Sequence, residues 1–264
     1  MNKVTFPALN LNLYINRIAF KIGNMPIYWY AVFIVFSICL VLFLCKKKEG
    51  KYNIYFQTII ELSIFVLPIS ILCARLYYVL FNLNYYVKNP MQICNLQDGG
   101  LAIYGAILGG IATIYFYSKR KKICFIDILD YIAVYLPLAQ AIGRLGNFFN
   151  IEAYGTETTS FFRMGIIKNG NYIEVHPTFL YEIVANIIIY VFLSQLEKRR
   201  KYKGQITCWY FLLYGIARTI IESLRIDSLM IDNIKVSKML SIFIVIGCIL
   251  FLMQKRLATK SNVK

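Results

Sequence analysis

Acidic residues are scarce in this chain. Thirteen Asp and Glu stand against 29 Lys and Arg, a net charge of +16 over 264 residues. Charge of either sign is thin, at 16% of residues, where soluble domains carry about 25%. Histidine occurs once, as His176. The seven cysteines (Cys39, Cys45, Cys73, Cys94, Cys124, Cys208 and Cys248) form no CxxC pair and mostly lie in apolar stretches. One histidine and dispersed cysteines give no metal-ligand spacing, and cysteines in apolar runs behave as small hydrophobes. The first 26 residues hold Pro7, Asn10, Asn12 and Asn16 and no early apolar run, so a cleaved signal peptide is not expected. There is no low-complexity tract and no internal repeat, hence no signature of an inverted-repeat transporter.

What is abundant is apolar surface. Hydrophobic residues make up 59% of the chain and the mean hydropathy is +0.58. Such a composition excludes disorder and argues against an ordinary cytosolic enzyme. In a soluble protein the basic excess would point to nucleic acid. In a membrane protein it records which loops face the cytoplasm. The positions of the charges decide between the two.

A bilayer core needs about 20 mostly apolar residues per helix. Seven segments qualify, some loosely: 27–45, 56–82, 101–118, 125–147, 178–196, 205–223 and 237–254. Basic clusters follow every second one. Lys46, Lys47, Lys48 and Lys51 follow the first; Lys119, Arg120, Lys121 and Lys122 the third. Lys198, Arg199, Arg200, Lys201 and Lys203 follow the fifth; Lys255, Arg256, Lys260 and Lys264 the seventh. Seven crossings put all four clusters on one side, as the positive-inside rule requires. The expected architecture is an all-α integral membrane protein, a bundle of seven transmembrane helices forming one domain over 1–264. The N-terminus lies outside and the C-terminus inside, and no nucleic-acid partner is needed. Of the outside segments, 148–177 is the longest. Its run from Thr156 to Asn171 predicts turns and a short hairpin.

Ionisable groups inside apolar segments cost about 2.5–3.5 kcal/mol each on insertion scales, so they are functional candidates. Arg75, Arg144, Glu182, Arg218 and Glu222 are such groups. Arg75 has a structural reading and a functional one of equal weight. Arg144 and Arg218 both fall toward the outer ends of their helices on this topology. A guanidinium presents a planar fork that fits phosphate oxygens. The densest polar patch is Gly143 to Gly155, holding Arg144, Asn147, Asn150 and Glu152; Arg144 with Asn147, and Asn147 with Asn150, are one helical turn apart and can share a face. Three other patches follow the same logic. Asp98 to Gly105, with Gly109 and Gly110, permits tight helix packing. His176 to Glu182 opens the fifth segment. Tyr214 to Arg225 sets Arg218 and Glu222 at i, i+4.

The run Gly143-Arg144-x-Gly146-Asn147-Phe148-x-Asn150-x-Glu152-x-x-Gly155 resembles the signature of the phosphatidylglycerol:prolipoprotein diacylglyceryl transferase family. The other patches, with Tyr28-Trp29-Tyr30, fall where that family has its own. The resemblance implies transfer of diacylglycerol from phosphatidylglycerol to the lipobox cysteine of a preprolipoprotein signal peptide, with release of glycerol-1-phosphate. It implies a bacterial cell membrane, an active site facing the outer leaflet, and no cofactor or metal. By the same resemblance Arg144, Arg218, Tyr104, Asn147 and Glu152 are catalytic. Arg144, Tyr30, Asn150, Gly155, His176, Tyr214 and Glu222 bind substrate. Some members have histidine where this chain has Tyr104. A tyrosine, with a pKa near 10, is a poor base at neutral pH. Three readings stay open: neighbouring arginines lower its pKa, it only positions substrate, or another group takes the proton. A rival class also stays open, an anion or lipid transporter or binding protein using Arg144 and Arg218.

Overall fold

The computed structural model describes residues 2–95, 99–226, 230–231 and 234–261. The chain divides into two compact units, one formed by 1–41 and 132–264, the other by 42–131. Asp98 and Lys264 lie outside the described residues.

The 42–131 unit holds α2 (Phe56–Phe81), the short α3 (Leu83–Lys88) and α4 (Ile103–Lys121). It also includes the end of α1 (Trp29–Lys47) and most of α5 (Phe125–Ala133). α2 packs along α4. The glycine stripe of α4 makes that contact close: a Cβ on Gly109 would stand 2.6 Å from the Cys73 side chain. Those glycines therefore pack helices, as their spacing suggested.

In the other unit α6 (Leu136–Asn150), α7 (Thr178–Leu196), α8 (Gln205–Leu224) and α9 (Val236–Ser261) pack in sequence order, each on the next. α5 and α6 form one apolar stretch bent by 48°. Pro137 in the first turn of α6 explains the break. It has no N–H to bond the carbonyl of Ala133, so the α5 ladder cannot continue through it.

Among the described residues four helical stretches are long and apolar enough to cross a membrane: Trp29–Lys47, Phe56–Phe81, Thr178–Arg199 and Val236–Lys255. The bent α5–α6 pair is a fifth if it counts as one span. Every segment expected from hydropathy coincides with a helix or with this pair. α4 and α8 fall short of the same apolarity. Glycine, tyrosine and basic residues dilute α4; Arg218 and Glu222 lie within α8.

The expectation of an all-α chain is corrected. β1 (Asn2–Phe6), β2 (Leu11–Ile15), β5 (Met164–Lys168) and β6 (Asn171–Val175) make an antiparallel sheet in the order β2-β1-β5-β6. β3 (Ile18–Ile22) and β4 (Met25–Tyr28) form a separate hairpin before α1. β7 (Met230–Ile231) and β8 (Ile234–Lys235) form another before α9. The physical reason is alternation. Val4 and Phe6, then Leu11, Leu13 and Ile15, recur at every second position, the period of a half-buried strand. Val4, Ile15, Met164, Ile166 and Val175 are buried with Phe179 of α7, and Phe148 and Phe149 at the end of α6 pack on that core. The expected hairpin within 148–177 is present, over Met164 to Val175. Its turn is Asn169-Gly170, both with positive φ (50° and 83°), the backbone of a two-residue hairpin loop.

Candidate active site

The site is built on the end of α6. Arg144 and Asn147, one turn apart, are bonded: Arg144 Nη1 donates to Asn147 Oδ1 at 3.0 Å. The helix ends at Ile151, whose φ of 54° is left-handed. A β-branched residue there is strained. The turn brings Glu152 back under the helix, where its N–H donates to the Asn147 carbonyl at 3.0 Å. Its carboxylate accepts from Asn147 Nδ2 at 2.8 Å and Asn150 Nδ2 at 3.2 Å. Glu152 thus fixes Asn147, and Asn147 aims Arg144. On the opposite side of α6, Gly146 leaves room for the Tyr30 ring, which a Cβ would strike.

Arg144 reaches across to α7, where its Nη2 lies 2.5 Å from Glu182 Oε2. The other oxygen of Glu182 takes Arg218 Nη1 from α8 at 2.7 Å. Arg218 Nη2 lies 2.8 Å from Glu222 Oε2, one turn along α8. Arg225, just past α8, stands 3.6 Å from Glu182 and 4.0 Å from Glu222. Among these five groups, cations outnumber anions three to two. Both carboxylates are buried, whereas 23% of the Arg144 side chain and 15% of Arg218 are exposed. Withdrawing such charges from water is costly unless each finds opposite charge, which the guanidinium groups around both carboxylates supply. Its open edge belongs to the arginines, so an anion can approach them.

The neighbouring loops are tied to the same helices. Gly155 N donates to the His176 carbonyl and Thr156 N to the Leu224 carbonyl, each at 2.8 Å. Thr178 Oγ1 donates to the Ala153 carbonyl at 2.6 Å. A Cβ on Gly155 would come within 2.8 Å of the Leu224 carbonyl and 2.9 Å of His176 Cβ. This glycine therefore lets the loop after α6 pass between the start of α7 and the end of α8. The His176 ring is 3.2 Å from the Tyr181 hydroxyl. Lys235 Nζ donates to the carbonyls of Glu222 and Arg225 at 2.8 and 2.6 Å, capping α8 against its dipole.

The structure thus joins Arg144, Asn147, Asn150, Glu152, Arg218 and Glu222 in one network, with Gly155, His176, Tyr30 and Tyr214 packed about it. Tyr214 shares a small cavity with Glu182 and Arg218. Tyr104 lies in the other unit, on the first turn of α4. Asn186, which no sequence motif singles out, is also on that cavity. Its signal was an amide four residues after Glu182 in an apolar helix. Arg225 has no role of its own in the sequence pattern; geometry brings it to both carboxylates.

A family model described as prolipoprotein diacylglyceryl transferase matches residues 17–254. Curated relatives named phosphatidylglycerol--prolipoprotein diacylglyceryl transferase are similar over nearly the whole chain. That of Clostridium novyi (strain NT) is 42% identical over 257 residues, covering 94% of this chain and 97% of the relative. That of Finegoldia magna is 41% identical over 251 residues, with 94% and 100% covered. That of Clostridioides difficile (strain 630) is 38% identical over 248 residues, with 94% and 98% covered.

Proposed function

The chain belongs to the prolipoprotein diacylglyceryl transferase family, and on that premise we propose that it transfers diacylglycerol from phosphatidylglycerol to the lipobox cysteine of a preprolipoprotein. This is the first step of lipoprotein maturation. The thiol sulfur bonds to the glycerol carbon bearing the phosphate. The bond from that carbon to the phosphate oxygen breaks, and glycerol-1-phosphate leaves with the electron pair. The thiol proton is released.

The observation that carries this reading is the convergence of Arg144 and Arg218 on one carboxylate, Glu182, at 2.5 and 2.7 Å. A group that accepts two guanidinium forks from different helices marks a place where a phosphate can be held by the same forks. As the carbon–oxygen bond breaks, charge grows on the departing phosphate, and the arginines stabilise it where it develops. The same positive field favours the thiolate, the nucleophilic form of a group with an ordinary pKa of about 8.5. Glu152 and Asn147 position Arg144, and Asn150 steadies Glu152. Glu222 positions Arg218. Tyr30, Gly155, His176 and Tyr214 shape the walls that receive the lipid and the signal peptide. Tyr104 orients substrate without taking the proton.

The chain crosses a bacterial cell membrane seven times, with the N-terminus outside, the C-terminus inside and the arginine network facing the outer leaflet. The alternation of basic clusters supports this. Both substrates then arrive within the membrane, the phospholipid sideways and the signal peptide as a helix. With the seven native cysteines replaced by serine or alanine, labelling of single cysteines introduced at Lys47 and Gly170 tests the topology: impermeant reagent on intact cells reacts at 170 alone. For the activity, purified protein is incubated with phosphatidylglycerol and a lipobox peptide. A diacylglyceryl mass gain on the peptide cysteine, release of glycerol phosphate, and no thioether on a cysteine-to-serine peptide are expected. Anion flux without peptide modification would replace this reading with a transporter.

A further inference from the structure

Asn186 lies one turn beyond Glu182 on α7 and is 2% exposed. Its Oδ1 accepts no hydrogen bond among the described residues. A buried amide oxygen left so loses about 1–3 kcal/mol, which marks it as a group made for a donor. It faces a cavity whose polar wall is Glu182, Tyr214 and Arg218. The rest of the wall is small or aliphatic: Ala185, Ala217 and Ile221. The free space is about 10 Å³, the size of one water or one hydroxyl group.

We propose that this cavity receives a hydroxyl of the phosphatidylglycerol headgroup and that Asn186 Oδ1 is its acceptor, making Asn186 a specificity-determining residue. The inference rests on the transferase reading above and adds to it how the headgroup is recognised. Three features converge. Arg218 lines the same cavity, so a phosphate held by Arg218 brings its alcohol substituent to the opening. Glu182 Oε2 also accepts no hydrogen bond among the described residues, but both Glu182 oxygens are ion-paired, with Arg144 and Arg218, which leaves the Asn186 amide oxygen as the uncharged acceptor for a neutral donor. Ala185 and Ala217 keep the hole narrow, so a hydroxyl on a short carbon chain enters and a bulkier group is refused. A site with a buried acceptor discriminates against an analogue lacking the donor, because the acceptor is then unpaired.

Asn186→Thr and Asn186→Val test it. These two replacements have the same shape and differ by one hydroxyl, so any packing or folding effect of removing the amide is common to both. Each variant and the parent protein receive a synthetic lipobox peptide in dodecyl maltoside micelles. The donor is phosphatidylglycerol or phosphatidyl-1-propanol, which lacks both headgroup hydroxyls. Thioether product is read by mass. The parent is expected to favour phosphatidylglycerol in kcat/KM by about tenfold, the loss of one neutral hydrogen bond. The Thr variant keeps most of that preference and the Val variant falls to within about twofold of none. No preference in the parent, or equal preference in the Thr and Val variants, overturns the proposal. A cavity that only houses structural water gives that second result, with both variants less heat-stable. Failure of the parent to make any product from phosphatidylglycerol would instead strike the transferase reading itself.

Discussion

In the 42–131 unit, Arg75 directs its guanidinium at four backbone carbonyls. Nη1 donates to Gly99 and Gly100 at 2.8 and 3.0 Å, Nε to Ile93 at 3.0 Å and Nη2 to Gln92 at 2.6 Å. In the other unit, Arg144 and Arg218 face carboxylates and a side-chain amide. All three are arginines in largely apolar helices. Their partners differ in one respect that matters. A backbone carbonyl cannot leave without unfolding a loop, whereas a carboxylate on a side chain can yield its place to another anion. Arg75, with the Tyr86 ring 5.3 Å away, is thus a clamp, and the two arginines of the network are, on the function proposed above, the headgroup ligands. Buried positive charge alone does not separate the two roles; the exchangeability of its partner does.

The largest effect is expected where that exchange is used. Arg144→Lys and Arg218→Lys keep the charge and lose the fork. Each should lower thioether formation by about 100- to 1,000-fold, as does loss of one donor to developing charge, while the melting midpoint in detergent stays near that of the parent. Near-normal turnover by correctly inserted Arg144→Lys protein would contradict the ligand role. Next comes Arg75→Met, which preserves bulk and strands the carbonyls of residues 92, 93, 99 and 100. It should destabilise the fold by about 3 kcal/mol, visible as a lowered melting midpoint and poor yield. Turnover per folded molecule should stay within about threefold. The opposite pattern, a stable but inactive Arg75→Met protein, would erase the distinction between the arginines. Smaller again is Gly155→Ala, whose methyl would press on the Leu224 carbonyl and His176. Overpacking of this kind costs about 1–3 kcal/mol, and the loop carrying Glu152 should loosen with it. A rise in proteolysis between 152 and 160 would report that loosening.

The helices were legible because hydropathy and the basic clusters state one message twice. Lys46 to Lys51 ends one apolar run and Lys119 to Lys122 another, so each cluster marks a boundary and, on the expected topology, a side. The pairing of Arg218 with Glu222 followed from helical spacing alone, as did Arg144 with Asn147. The sheet was harder to see. Val4 and Phe6 alternate with polar residues, yet β1 finds β5 some 160 positions away, and no local pattern announces a partner that distant. Glu182 was visible as a buried acid, but its place between two arginines from two other helices is a tertiary fact. The same holds for Asn186, whose cavity exists only once α7 and α8 are packed. The bend before Pro137 was hidden because hydropathy runs through it unbroken.

Tyr104→Phe gives the smallest expected effect and sharpens the comparison furthest. If two arginines both hold the leaving phosphate and favour the thiolate, then no side chain has to remove the thiol proton in the transition state. The Tyr104 hydroxyl then contributes one hydrogen bond, and its removal should slow transfer by about tenfold. General acid–base catalysis would instead contribute about 100- to 10,000-fold, and its loss would change the pH dependence of the rate as well as its height. Transfer measured from pH 5 to pH 9 separates these outcomes. A parallel downward shift of the Phe profile leaves the arginines as the chemical centre. A folded protein without turnover would make Tyr104 an essential acid–base group, and the network in the other unit would no longer account for the chemistry alone.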